Sequence, residues 1–415
     1  MEPLKLELLN SHPRDARIVF DAALHKYFID GLRYPSSVSG LIHEYFPHFD
    51  GPAVVNAGFD KWSTNRWNKY YRLIYYLRNI LELDDEQCKK EISRMWEASG
   101  NSASTQGTDT HLQIELCLND AEHQSASPEF QQYQAWRATH PTWQPYRTEW
   151  SVFSEPELIC GQIDSLWVDD AGLYHMADWK RVAEMKMTGF RNECGFGPLK
   201  GLPSTNWGHY VLQQNVYAWM LESHYGIKVA SLSLVQVHPD LEAFKEHPLP
   251  RIDSSVESIM AERRRKVLAG ELQAMDAEQI KASAAACAPA EAAGVDAAAV
   301  RFEHHLRFEE EHLSAMGASP LVSHLPEVDK NYDTWARIKE AEFYPLITYI
   351  TKVWGGDANV AKLQVARVCA ELEGGSAEVL PESTAMEMAA SVRRTIEQMT
   401  TAEQAETPGV PRPGV

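Results

Sequence analysis

Several features that would place a protein quickly in a class are missing from this chain of 415 residues. Its six cysteines are far apart and include no C-x-x-C pair, so neither a disulfide framework nor a thiolate cluster is indicated. It contains no internal repeat and no glycine-rich loop that could cradle nucleotide phosphates, which excludes a helicase or ATPase motor. The longest apolar stretch, Phe343 to Val353, is interrupted by Pro345 and Lys352, and we expect no membrane segment.

Positive charge is also scarce, since the formal net charge is -19. An acidic chain predicts weak, local and salt-sensitive contacts with any nucleic acid. The segment 1–17 lacks a secretory apolar region, and scattered cysteines are typical of a reducing compartment. We therefore expect an intracellular protein, with nucleus, cytoplasm, mitochondrion and a viral origin all left open.

The most informative feature that is present is a pair of aspartates in adjacent predicted strands. Asp164 lies in the first strand (Leu158 to Val168) and Asp178 in the second (Leu173 to Lys180), and an Asp-Asp-Ala-Gly turn joins them. Side chains alternate along a strand, so Asp178 and Lys180 share a face while Trp179 points the other way. Two carboxylates and an ammonium at one edge of a sheet can support metal-assisted hydrolysis of a phosphodiester. The alternative is a solvated surface hairpin with an ordinary salt bridge.

A predicted helix upstream adds two further polar side chains. A Ser/Asn/Gly-rich loop (Ser99 to Gln106) is expected to run into a helix capped at Thr108 or Asp109. His111 and Glu115 stand four residues apart and so share one helical face. Imidazole is a good metal ligand, although a lone histidine on a helix is more often a structural residue.

A predicted helix downstream places Gln213 and Tyr217 on one face. Their amide and phenol could position a phosphate or an ordered water. The alternative is an amphipathic helix with a wet polar side.

In order, these motifs resemble those of the PD-(D/E)xK nuclease superfamily. The series is Gly107-x-x-x-His111-x-x-x-Glu115, Glu149, Gly161-x-x-Asp164, Asp178-x-Lys180 and Gln213-x-x-x-Tyr217. It looks most like the RecB-like branch, which includes the mitochondrial genome maintenance exonuclease group. The resemblance covers roughly residues 100 to 240 and implies an α/β fold: a central mixed sheet flanked by helices, with a nuclease site at its edge.

The resemblance also implies a role for each residue of the site. His111, Asp164, Asp178 and the Trp179 carbonyl would ligate Mg²⁺ or Mn²⁺, while Lys180 would orient the attacking water and stabilise developing charge. Glu115 would support catalysis, Glu149 would be a neighbour on a strand, and Gln213 and Tyr217 would bind substrate. Many RecB-like nucleases carry four cysteines for an iron–sulfur cluster, but the cysteine spacing here predicts none.

The expected substrate is DNA, preferably single-stranded or at ends. A basic segment follows the second strand, and we expect Arg181, Lys186 and Arg191 to track a phosphate backbone; the alternative is an ordinary solvated loop. Before residue 100 lies a set of aromatic residues that is typical of core packing but could instead stack bases. Its members are Trp62, Trp67, Tyr70, Tyr71, Tyr75, Tyr76 and Trp96.

Five segments are predicted along the chain. These are 1–99 (a strand pair and aromatic-rich helices), 100–270 (the nuclease core), 271–300 (an alanine-rich linker), 301–400 (a helical region) and 401–415 (a disordered tail). The role of 301–400 is open, and a protein partner could bind there.

Two other functions remain open at this point. One is a catalytically inactive nuclease-fold protein that binds nucleic acid or acts as a scaffold, which the acidic balance favours. The other is a metallohydrolase of small phosphoesters, which the basic segment after Lys180 disfavours. Exo or endo action, and DNA or RNA as substrate, are not decided by these residues.

Overall fold

A computed structural model describes residues 4–21, 26–189, 192–276, 279, 340–355, 361, 364, 365 and 368. The chain divides into two compact units, and unit 1 comprises 1–49 and 103–296 while unit 2 comprises 50–102 and 297–415. The predicted segment 1–99 is thus split between the units. The predicted tail, and most of the predicted linker and of 301–400, lie outside the described residues.

The described elements comprise nine α-helices and nine strands, and all nine strands lie in unit 1. The helices are α1 (Lys5–Leu9), α2 (Val38–Tyr45), α3 (Gly51–Thr64), α4 (Tyr71–Tyr75), α5 (Asp85–Leu118), α6 (Pro128–Thr139), α7 (Asn206–His224), α8 (Asp253–Leu268) and α9 (Glu340–Thr348). Short 3₁₀ turns cover Asp15–Arg17 and Gly197–Leu199, and π-helical turns cover Tyr76–Ile80 and Tyr349–Val353. The strands are β1 (Ile18–Asp21), β2 (Lys26–Ile29), β3 (Leu32–Arg33), β4 (Ser36–Ser37), β5 (Gln144–Ser154), β6 (Ile159–Val168), β7 (Tyr174–Arg181), β8 (Val229–Val237) and β9 (Lys245–Pro248).

Unit 1 is built on a mixed six-stranded sheet, which confirms the predicted α/β class. Strand β6 pairs antiparallel with β5 and β7, β7 pairs parallel with β8, and β9 closes the far edge antiparallel to β8. A separate antiparallel sheet contains β1, β2 and β3. The predicted hairpin is confirmed: Ser165 faces Ala177, and Gly172 takes a left-handed φ of 77° in the turn.

One edge of β6 is shared by two partners, and this opens the sheet locally. Because β5 covers β6 along its whole length, β4 and β7 must both pair with the opposite edge. β4 reaches residues 159–160 and β7 reaches residues 165–168, which leaves 161–164 between them. Asp164 lies at this split.

Apolar residues cover both faces of the sheet. On one face α2, α7 and α8 pack on Ile163, Met176 and Leu234. On the other face α6 and the end of α5 pack on Trp167 and Trp179. The alternation predicted for β7 therefore holds, since Met176 and Trp179 belong to opposite cores.

Unit 2 has its own apolar core. Residues of α3, α4 and α5 pack there with α9 and the π-helical turn that follows it, and Leu346 and Tyr349 are fully buried. The Tyr349 hydroxyl donates to the buried Glu91 carboxylate at 2.8 Å. Residues from the described part of the predicted region 301–400 thus contribute to the core of this unit.

The predicted loop from Ser99 to Gln106 is wrong, because α5 runs unbroken from Asp85 to Leu118. Thr108 and Asp109 therefore do not cap a helix. The helix begins instead at a capping box in which Asp84 and Gln87 exchange backbone and side-chain bonds. Its hydroxyl side chains bond back to the preceding turn, as Ser99 does to Met95 O, and so do not compete with the helix.

Among the described residues, no helix combines the length and the apolar character needed to cross a bilayer.

Candidate metal centre

Five polar side chains from four elements converge at the split in the sheet. Asp164 comes from β6, Asp178 and Lys180 from β7, Glu149 from β5 and His111 from α5. Trp179 N donates to Asp164 Oδ2 at 3.0 Å. The Asp164 carboxylate thus accepts a hydrogen bond from the backbone of β7, close to the point where the β6–β7 pairing ends.

His111, Glu149 and Asp164 form a set that could hold a metal ion, with one potential ligand atom from each lying within 4.8 Å of the others. His111 Nδ1 is 3.4 Å from Glu149 Oε1 and 3.5 Å from Asp164 Oδ2. His111 Nε2 lies 2.9 Å from the Trp179 carbonyl, which can only accept, so this nitrogen carries a proton. That bond fixes the ring and leaves Nδ1 facing the two carboxylates.

Glu149 holds a strained backbone conformation at this point. It lies opposite Asp164 in the β5–β6 register and has a φ of 41°, in the left-handed region that non-glycine residues rarely adopt. The Gln162 amide donates to the Glu149 carbonyl at 2.8 Å. Strain of this kind gathers at functional sites, where the surrounding structure offsets its cost.

Asp178 and Lys180 form a buried ion pair beside this set. Lys180 Nζ is 2.6 Å from Asp178 Oδ2 and 4.0 Å from Asp164 Oδ2. The Gln214 amide donates to Asp178 Oδ1 at 2.7 Å, and the ammonium also lies 4.9 Å from the centre of the Tyr210 ring. The ammonium is therefore held near both aspartates.

Burial and charge displace the pKa values of these groups. Burial alone would lower the pKa of His111, but Asp164 and Glu149 outweigh it and raise the pKa to about 9. Burial, reinforced by Asp164, raises the pKa of Asp178 to about 7. Burial opposes the charge of Lys180, yet Asp178 and Asp164 raise its pKa above the ordinary value. Without a metal, His111 and Lys180 are both cations at neutral pH.

Glu115 lies at the edge of the centre. Burial, and then the charge of Glu149, raise the pKa of Glu115 to about 7. A cavity of about 200 Å³ opens there, with Arg147, Glu115 and Glu149 among its lining residues. Glu115 thus lies next to an open space.

Helix α7, the predicted downstream helix, contributes one residue to the centre that the sequence did not indicate. Gln214, which the sequence did not single out, contacts Asp178, whereas the oxygen of the predicted Gln213 is buried without a hydrogen-bond partner. Tyr217 is buried against Gly161, where an added Cβ would lie 2.8 Å from the tyrosine hydroxyl. The glycine is needed for this close approach.

The structure describes two of the three predicted phosphate-tracking residues, Arg181 and Lys186. Arg181 Nε bonds Glu129 at 2.7 Å and both side chains are largely buried, so the prediction for Arg181 is wrong. Strand alternation places it on the Trp179 face, away from Lys180. Lys186 is exposed, and Arg191 lies outside the described residues.

Sequence reasoning also missed two tyrosines near the centre. Tyr27 on β2 is close enough for the charges of Glu149 and Asp164 to contribute to its raised pKa, after burial. Tyr210 faces Lys180. A signal existed only for Tyr210, which precedes Gln214 by four residues and so shares its helical face.

Comparisons with known proteins do not show a family for this chain. No family model and no curated protein matches it. Among solved structures, one titled "Crystal structure of SSO0001" is 18% identical, with a TM-score of 0.18. That match covers 33% of this chain and 57% of the other, so it spans little more than half of the other chain and says nothing about fold or activity.

Proposed function

We propose that the chain is a metal-dependent DNA nuclease with a PD-(D/E)xK core of the RecB-like kind. One observation carries the proposal: Lys180 Nζ lies within 4.0 Å of both Asp164 and Asp178, beside a histidine and a strained glutamate. A metal-binding set next to a buried ammonium suits the hydrolysis of a phosphodiester. Proteins of this kind act in DNA replication, repair or recombination.

The donor set fits a hard or borderline divalent cation. His111 Nδ1, Glu149 and Asp164 would hold the ion, and a mixed nitrogen and oxygen set suits Mn²⁺ at least as well as Mg²⁺. Asp178 Oδ1 accepts from Gln214, and Asp178 Oδ2 lies 2.6 Å from Lys180 Nζ without a hydrogen-bond partner, so a ligand role for this carboxylate stays a prediction. The Trp179 carbonyl, also predicted as a ligand, accepts from His111 Nε2 at 2.9 Å and so orients that ring. When bound, the ion lowers the pKa of water and offsets phosphate charge.

The remaining side chains of the site would position the substrate and water and stabilise negative charge. Lys180 stays an ammonium, so it acts as a donor that stabilises negative charge developing on the phosphate and orients water, not as a base. Asp178 holds that ammonium in place, and Gln214 in turn holds Asp178. Glu115 is a support on the same helix face as His111.

The test combines cleavage with metal binding. End-labelled single-stranded DNA, blunt duplex and closed circles are incubated with Mn²⁺, and Mn²⁺ binding is measured by calorimetry. We expect cleavage of single strands and ends, abolished in Asp164→Asn together with Mn²⁺ binding. Asp170→Asn, at an exposed carboxylate in the β6–β7 turn, is the matched control and should behave as wild type. Nucleic-acid binding without Mn²⁺ binding or cleavage would instead support the non-catalytic alternative.

A further inference from the structure

A second basic feature lies in unit 2, in an otherwise acidic chain. Every charged residue between positions 61 and 81 is a cation, while the whole chain has a net charge of -19. These cations are Lys61, Arg66, Lys69, Arg72 and Arg78. Such a local reversal of sign attracts polyanions to one part of the molecule.

The centre of this segment is a short loop between α3 and α4, which we call the Trp67 loop (Asn65–Tyr70). Asn65 Oδ1 accepts from Trp67 N at 3.1 Å, and Asn68 Oδ1 accepts from Tyr70 N at 2.9 Å. The backbone is therefore fixed by two successive side-chain bonds. A fixed loop loses little conformational entropy when it binds a ligand.

Trp67 is set apart from the other aromatic residues of its region. Trp62, Tyr70 and Trp96 pack on one another, with 4.6 Å between the Trp62 and Tyr70 ring centres. This confirms the core interpretation for those three residues. Trp67, by contrast, is 74% exposed. A large exposed aromatic side chain on a fixed loop gains stability only when something covers it.

The cations closest to Trp67 along the chain have no acidic partners among the described residues. Arg66 lies 5.3 Å from the centre of the Trp67 ring, and Arg66, Lys69 and Lys61 are all exposed. Within the described part of the chain, no carboxylate comes within ion-pair distance of these three. Arg78 differs, because it pairs with Asp85 at 2.7 Å.

We propose that the Trp67 loop binds single-stranded nucleic acid, with Trp67 stacking on a base and Arg66 and Lys69 contacting adjacent phosphates. An aromatic platform next to unpaired cations is the combination that single-strand-binding proteins use, since every base has a face to stack. An apolar protein partner fits less well because the guanidinium of Arg66, unpaired among the described residues, lies beside the ring. The proposal relies on the proposed function only for the identity of the polymer.

The experiment measures binding without cleavage. Binding of a fluorescein-labelled oligothymidylate to the full chain is followed by anisotropy in EDTA over a range of salt concentrations. The variants are Trp67→Ala, Trp67→Phe and the double variant Arg66→Gln/Lys69→Gln. Controls are Phe196→Ala, at another exposed aromatic residue, and Lys228→Gln/Lys245→Gln, at two exposed lysines of unit 1.

We expect Trp67→Ala to raise Kd about tenfold and Trp67→Phe to retain most of the affinity, because a smaller ring still stacks. The double variant should flatten the slope of log K against log salt by about 1.4, or about 0.7 for each lost phosphate contact. Both controls should match wild type. Melting temperatures establish that each variant is folded.

An unchanged Kd in Trp67→Ala, no binding by wild type, or an equal loss of slope in the lysine control would overturn the inference. Cleavage with Mn²⁺ combined with any of these results would leave the proposed function standing. Trp67-dependent binding by a wild-type protein that never cleaves would support the inference and overturn the proposed function.

Discussion

His111 supplies a nitrogen donor to a centre whose other candidate ligands are carboxylates. Its pKa of about 9 means that the free protein holds it protonated at neutral pH. A protonated Nδ1 cannot ligate, so metal binding must release a proton. The affinity of the centre is therefore tied to pH through this residue.

Mn²⁺ affinity should rise about tenfold per pH unit between about pH 7, where Asp178 titrates, and about pH 9. Affinity rises with pH because the pKa of His111 is raised. Below that pKa a proton on Nδ1 competes with the ion, and above that pKa the nitrogen is free to bind it. Calorimetry in buffers of different ionisation enthalpy counts the released proton. His111→Ala should bind more weakly and without this pH dependence. The same slope in the variant would show that another group carries it.

Gly107 in helix α5 has no structural need to be a glycine. Gly107 is the first residue of the motif series that resembles PD-(D/E)xK nucleases. A Cβ placed on it nevertheless meets no atom within 4 Å, and its φ is not in the left-handed region. Gly107→Ala should therefore raise the free energy of unfolding by roughly 0.5–1 kcal/mol and leave cleavage unchanged.

Gly161→Ala is the contrasting change at the split in the sheet. Its Cβ would lie 2.8 Å from the Tyr217 side chain, so we expect lower stability and impaired activity. Urea unfolding of both variants measures the two effects. A loss of cleavage in a stable Gly107→Ala protein would give Gly107 a role that its surroundings do not indicate.

The sequence predicts strands better than it predicts the ends of helices. The β6–β7 hairpin followed from its turn residues, and alternation along β7 would also have assigned Arg181 to the opposite face. The uninterrupted α5 did not follow from the sequence, because its Ser/Asn/Gly-rich stretch is of a composition that favours a loop. Gln214 was missed because α7 is buried on most sides and has no clear polar face. The left-handed φ of Glu149 within β5 could not be predicted, because glutamate has no preference for that backbone conformation.

At the scale of the whole molecule, the two units have separate cores. Leu234 is fully buried in unit 1, and Leu346 is fully buried in unit 2. Each substitution to alanine should cost about 2–5 kcal/mol. In calorimetry, Leu346→Ala should lower the melting transition of unit 2 and Leu234→Ala that of unit 1. A single transition that both variants shift equally would show that the units unfold as one.

The central claim is that Lys180 serves catalysis without holding the metal. The most direct test is the rate at which Lys180→Ala cleaves end-labelled single-stranded DNA when it is saturated with Mn²⁺, as calorimetry on the same sample establishes. We expect the rate to fall about 100- to 1000-fold while Mn²⁺ still binds, because the donor that stabilises developing charge is gone. Cleavage at the wild-type rate by the Mn²⁺-saturated variant would contradict the account.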